Sequence, residues 1–169
     1  MQQIVRRDVD NSKLELLPSI DPLLQRIYAG RGISDPAMLD LGLGALPQPN
    51  AMLGMQKAVQ RLLQALAADQ SIIVVGDFDA DGATSCALMM LGMTSMGYRS
   101  IDYLVPNRFD YGYGLTPEIV DLAAQKKPAL IVTVDNGISS IDGVAHAHRQ
   151  AIDVIITDHH LPGAELPKA

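Results

Sequence analysis

Three short stretches hold side chains that could do chemistry together. The first is Gly76-Asp77-Phe78-Asp79-Ala80-Asp81-Gly82, with three carboxylates at alternate positions. In extended backbone such positions face one side, so Asp77, Asp79 and Asp81 are expected to converge. Two carboxylates about 5–6 Å apart repel by roughly 3 kcal/mol at an effective dielectric near 20. Three in one loop must therefore raise their pKa values or take up cations. The second stretch is Val134-Asp135-Asn136-Gly137 and the third is Thr157-Asp158-His159-His160. Oxygen ligands alone favour a hard ion such as Mg²⁺ or Mn²⁺, and added imidazole moves the preference toward Mn²⁺ or another first-row ion.

Bland roles compete with this reading. An Asp at a strand end can cap the next helix or bind loop amides, and Asp158 could orient a histidine without touching a metal. The D-x-D-x-D-G string also mimics the start of an EF-hand, but position 12 is Leu88 instead of a bidentate Glu, and a strand precedes it. An aspartyl-phosphate phosphohydrolase begins with Asp-x-Asp after a strand, yet gives paired histidines no role. Arg108 is a candidate phosphate ligand by its fork geometry, and Phe109 or the nearby tyrosines could stack on a base. A loop packed by its own aromatics is the alternative there. His146 and His148 are expected at the solvated surface, and Cys86 in the core.

The elements that would position these groups alternate. Short apolar runs at 71–75, 102–106, 129–134 and 153–157 read as strands, and 83–98, 116–127 and 139–150 read as helices. Strands apolar on both faces imply an α/β fold, a parallel sheet of four to five strands with helices on both faces. Three of the four strands then deliver Asp or His to the carboxyl edge, where open parallel sheets bind ligands. Residues 51–69 form an amphipathic helix, and 1–50 a helical and irregular segment with helices at 21–30 and 34–41. The expected domains are thus 1–50 and 51–169. The helix at 83–98 is apolar nearly all round, with four of the eight methionines. It is expected to lie sandwiched between the sheet and the 51–69 helix, or else to meet a protein partner or missing domain.

Composition excludes other classes. In 169 residues, 48% are hydrophobic, and 13 Lys and Arg against 19 Asp and Glu give a net charge of −6. This is neither a disordered chain nor a generally basic nucleic-acid binder. One cysteine excludes a disulfide framework and the usual thiolate zinc site. With no signal-peptide core and no apolar run of about 18 residues, a soluble cytoplasmic protein with no membrane association is expected.

The stretches VVGDFDADGATS, DYLVPNRF, GYGL, LIVTVDNGISS and VIITDHHLPG, in this order, resemble the DHH phosphoesterase superfamily. They are most similar to its bacterial single-strand-specific 5′→3′ DNA exonucleases. The resemblance implies a two-metal phosphodiesterase acting on single-stranded DNA with Mn²⁺ or Mg²⁺, in DNA repair and recombination. In that family pattern the metal set is Asp79 and Asp81, with Asp77 beside them at the first position, Asp135 bridging two ions and His159 completing one shell. His160 would lie toward the scissile phosphate, supported by Asp158, and Arg108 would bind phosphate. Two ions about 3.5–4 Å apart suit an in-line displacement. The family's fourth metal motif and second domain find no counterpart before Ala169. The chain is therefore expected to be an N-terminal portion, its α/β domain incomplete, binding metal weakly and degrading DNA poorly. A non-catalytic metal- or nucleotide-binding remnant, or another DHH phosphoesterase, is the alternative.

Overall fold

The computed structural model describes residues 3, 5, 8–10, 12, 14, 15 and 18–169. The chain divides into two compact units, Met1–Met52 and Leu53–Ala169. In the first, helix α1 (Pro22–Gly30) opens on Asp21, whose carboxylate accepts from the Leu23 amide, with Pro22 in the first turn. The helix expected at 34–41 is only a 3₁₀ turn, Pro36–Leu39, capped by Asp35 instead of Ser34. None of its residues is buried, and a turn without an apolar face to bury has nothing to lengthen it.

The second unit runs α2 (Met55–Ala67), β1 (Ile72–Gly76), α3 (Ala80–Ser95), β2 (Ile101–Leu104), α4 (Arg108–Tyr111), α5 (Pro117–Ala124), β3 (Leu130–Val134), α6 (Ile141–Arg149) and β4 (Asp153–Thr157). The four strands form one parallel sheet in the order β2-β1-β3-β4. Both central strands are buried along their whole length, as expected of strands covered on two sides. Alternate side chains sort by face. Ile73, Val75, Ile131 and Val154 pack with Ile119, Val120 and Ala123 of α5 and with Val144 and Ala147 of α6. Ile72, Leu130 and Val132 pack on the other side with Ala65 of α2 and Met93 of α3. Cys86 is buried there between Val74 and Val134, as expected.

Two further expectations need correction. Helix α3 lies beside α2, with the Tyr98 hydroxyl donating to the Leu62 carbonyl at 2.6 Å. It is not sandwiched, because Leu88 and Leu91 are 74% and 73% exposed. It also starts three residues earlier than the apolar pattern indicates, since Asp79 supplies the cap. His146 is half-buried and pairs with Asp121 at 2.7 Å, joining α6 to α5, so only His148 is a plain surface histidine. Among the described residues no helix is long and apolar enough to cross a membrane.

Candidate metal centre

Strand register places the chemistry. Gly76 pairs with Val134, and Val134 with Thr157. The next residues, Asp77, Asp135 and Asp158, therefore leave the sheet side by side at its carboxyl edge. The chain goes from β1 to β2 on one side while β3 lies on the other, so the row sits at the switch point of the sheet.

The first loop does not stay extended. Asp79 Oδ1 accepts from the amides of Asp81 and Gly82, both at 3.1 Å, and the helix begins immediately. The expected alternation of three carboxylates is thereby broken, and Asp81 lies in the first turn of α3, where the helix dipole favours an acid. Gly82 allows this tight start: a Cβ there would stand 2.3 Å from the Asp77 carbonyl oxygen. The amides at the helix start, Gly82 foremost, hold the Asp79 carboxyl below its ordinary pKa.

Asp135 follows β3 with φ +63°, a left-handed conformation rare for a residue with a side chain. Its neighbours impose it. Its amide donates to the Thr157 carbonyl at 2.9 Å. Asn136 Nδ2 donates to the Val75 and Val134 carbonyls at 3.1 and 2.9 Å, and Thr133 Oγ1 to the Asn136 carbonyl at 2.7 Å. Burial first, and the nearby Asp79 second, push the Asp135 carboxyl above its ordinary pKa. His159 Nε2 stands 2.9 Å from its Oδ1.

Asp158 is almost wholly enclosed. Its Oδ2 accepts from the Ile138 amide at 2.9 Å, and its Oδ1 from the His160 amide at 3.0 Å, with His160 Nδ1 at 2.7 Å. Burial works to raise its pKa, but the His160 and Ile138 hydrogen bonds outweigh it and hold the carboxyl low. The Asp158 contact in turn raises the His160 imidazole.

Arg108, on α4 after β2, spreads its guanidinium over Asp77. Nε donates to Oδ1 at 3.0 Å and Nη2 to Oδ2, while Nη2 is 3.6 Å from Asp79 Oδ2. The same guanidinium lies 5.3 Å from the Tyr113 ring centroid. The Tyr113 hydroxyl is 3.0 Å from His160 Nδ1. Phe78 and Phe109 meet edge to face at the solvent side, centroids 6.5 Å apart, both exposed.

Two groups of donor atoms lie within 4.8 Å of one another, Asp77–Asp79–Asp135 and Asp135–His159–His160, sharing Asp135. Of the residues expected at the site, Asp81 alone belongs to neither group and is not engaged by Arg108 or Asp158, although its charge is felt at Asp135. Clustered carboxylates, one with its pKa raised by burial and then by a neighbouring acid, with imidazole beside them, fit hard or borderline divalent cations. Tyr113 as the neighbour of His160, and Asn136 as the tie between the β1 and β3 ends, are contacts around the site that residue spacing did not indicate. Tyr113 and His160 stand 47 positions apart, and no local pattern connects them.

The chain is also similar to known proteins. The chain is 52% identical over 167 residues to the single-stranded-DNA-specific exonuclease RecJ of Escherichia coli (strain K12), covering 99% of the chain and 29% of that protein. It is 35% identical over 170 residues to the RecJ of Bacillus subtilis (strain 168), covering 98% of the chain and 22% of that protein. It thus spans less than a third of the length of these relatives. A crystal structure of exonuclease RecJ bound to manganese matches with a TM-score of 0.64 and 34% identity, over 76% of this chain and 31% of that one. RecJ from Thermus thermophilus in complex with Mn²⁺ matches with a TM-score of 0.61 and 27% identity, over 94% of this chain and 22% of the other. The model of the DHH family, N-terminal domain, matches residues 71–169. With that match over more than half of its length, laid on the strands and loops that carry the carboxylates and histidines, this chain belongs to the DHH family.

Proposed function

We propose that the chain carries the metal-binding part of a single-strand-specific 5′→3′ DNA exonuclease, which hydrolyses phosphodiester bonds and releases 5′-mononucleotides. The observation that supports this best is the pair of donor groups sharing Asp135 at the sheet's carboxyl edge. In this reading Asp79, Asp81, Asp135 and His159 hold two Mn²⁺ or Mg²⁺ ions, with Asp77 beside them. Bound, such ions neutralise phosphate charge and make a water nucleophilic near neutral pH. His160 faces the scissile phosphate. Asp158 keeps its Nδ1 side engaged at 2.7 Å, leaving Nε2 to handle a proton at the leaving or attacking oxygen. Arg108 binds a phosphate oxygen, and exposed Phe109 offers a face for a base.

The reading divides the chain into an N-terminal helical segment, 1–50, and the α/β domain, 51–169. It places the protein in cytoplasmic DNA repair and recombination, the setting that the family resemblance implies. The apolar outer face of α3, with Leu88 and Leu91 exposed, supports a protein surface covering that helix.

The test pairs metal uptake with cleavage of 5′-phosphorylated single-stranded DNA. The expected result is Mn²⁺ binding with weak, Mn²⁺-dependent release of mononucleotides from single strands and none from duplex. Failure to bind Mn²⁺, or equal cleavage of duplex, overturns the proposal. A chain that binds two ions yet never cleaves would instead be a non-catalytic metal-binding module.

A further inference from the structure

The acids of the metal centre are not equivalent. A carboxylate offers about four lone-pair sites to donors or cations. Asp77 has three filled by protein donors: Oδ1 accepts from the Phe78 amide at 2.7 Å and from Arg108 Nε at 3.0 Å, and Oδ2 accepts from Arg108 Nη2. Its side chain is 5% exposed. Asp158 is filled in the same way, by two amides and His160 Nδ1, and is 1% exposed. Asp79 differs. Its Oδ1 is taken by the helix amides, but Oδ2 has Arg108 no nearer than 3.6 Å, and the side chain is 56% exposed. Asp81 is exposed as well.

These two enclosed carboxylates each grip a group of opposite character, Arg108 in one case and His160 in the other. Those two groups both meet Tyr113, one over its ring and one at its hydroxyl. A continuous frame therefore runs Asp77–Arg108–Tyr113–His160–Asp158 along the sheet edge. One lone pair of Asp77 Oδ2 remains, and an ion taking it would share that oxygen with the Arg108 guanidinium and lie against its positive charge.

We infer that Asp77 is a positioning residue: it holds the Arg108 guanidinium at the edge of the metal centre, as Asp158 holds His160, and does not itself bind a metal ion. The inference rests on the metal-site reading above and refines it. Arg108 then meets phosphate already oriented, with a fixed fork instead of a freely rotating side chain.

The experiment follows the Arg108 Nε–H resonance in the ¹⁵N-labelled 169-residue chain during titration with Mg²⁺, the peak being assigned by its disappearance in Arg108→Lys. A carboxylate-bound Nε–H is expected to persist through saturation, while the backbone signals of Asp79, Asp81 and Asp135 shift. In Asp77→Asn the peak should broaden or vanish, with Mg²⁺ affinity within about threefold of the parent. Asp135→Asn should lose more than about tenfold. Collapse of the Arg108 peak as Mg²⁺ binds overturns the inference, as does an affinity loss in Asp77→Asn equal to that of Asp135→Asn. The titration of the unaltered chain decides the matter even if Asp77→Asn does not fold. If no signal at the site moves with Mg²⁺ or Mn²⁺, the metal-site reading fails and this inference falls with it.

Discussion

At Asp135 the backbone and the charge both work against a stable metal-free site. The residue is held at φ +63°, a region that Asn enters more readily than most residues, and its carboxyl is pushed up by burial and by Asp79. A carboxyl with a raised folded pKa contributes stability that is present below its unfolded value, about 3.9, and lost as pH rises through the folded value. At pH 7 the ionised Asp135 therefore costs stability. Asp135→Asn is expected to raise the metal-free Tm by roughly 2–4 °C at neutral pH, the shift of about 1 kcal/mol in a chain of this size. The gain should vanish below about pH 4, and Mn²⁺ should no longer stabilise the variant. Thermal unfolding with and without the ion, at both pH values, checks this. Asp158 has the opposite sign. Its lowered pKa stabilises the fold above the unfolded value and ceases to do so as pH falls through the folded one. Asp158→Ala strands the Ile138 amide and the His160 contacts, and is expected to cost about 1–3 kcal/mol at pH 7 in urea unfolding. The penalty should shrink in acid.

At the scale of elements, the centre depends on how closely α3 starts against the end of β1. At Gly82 that contact is main chain on main chain, since an added Cβ would meet the Asp77 backbone at 2.3–2.6 Å. The atoms it would strike belong to the main chain, so side-chain rotation cannot relieve the clash. Gly82→Ala is expected to displace the first turn, break the Asp79 cap and lower Mn²⁺ affinity by more than about tenfold, the loss read by calorimetric titration. A change in the sheet itself should separate stability from metal binding. Ile131, fully buried on β3, is expected to cost about 2–5 kcal/mol as Ile131→Ala. Its Mn²⁺ affinity, measured while the variant is folded, should be unchanged, because the side chain lies on the α5–α6 face away from the strand ends.

For the whole molecule, metal and fold are linked. An ion that binds only the native state stabilises it by about 2.7 kcal/mol at a hundred times its Kd. Mn²⁺ is therefore expected to raise the Tm of this chain, and a chelator to return it to the metal-free value. The formal charge of −6 acts in the same direction, because acids gathered at one edge repel until cations arrive. A net-acidic chain is thus compatible with a phosphodiester substrate when its acids are cation ligands.

The order of strands and helices, the parallel sheet, and the delivery of Asp77, Asp135 and Asp158 to one edge are legible from sequence alone. Hydrophobic period and run length are local properties, and a parallel sheet fixes which ends of its strands coincide. The fine division of labour within the centre is not local. Whether three Asp residues stay extended depended on Gly82 packing against Asp77, which let Asp79 cap a helix and carried Asp81 into its first turn. The pairing of Arg108 with Asp77 joins residues 31 positions apart, and that of Tyr113 with His160 joins residues 47 apart. Residue types and spacing determined that this chain gathers acids and histidines at a sheet edge. Only the tertiary structure decided which carboxylates are enclosed and held by several protein donors and which stand exposed with few, because hydrogen-bond partners are set by neighbours that folding brings together.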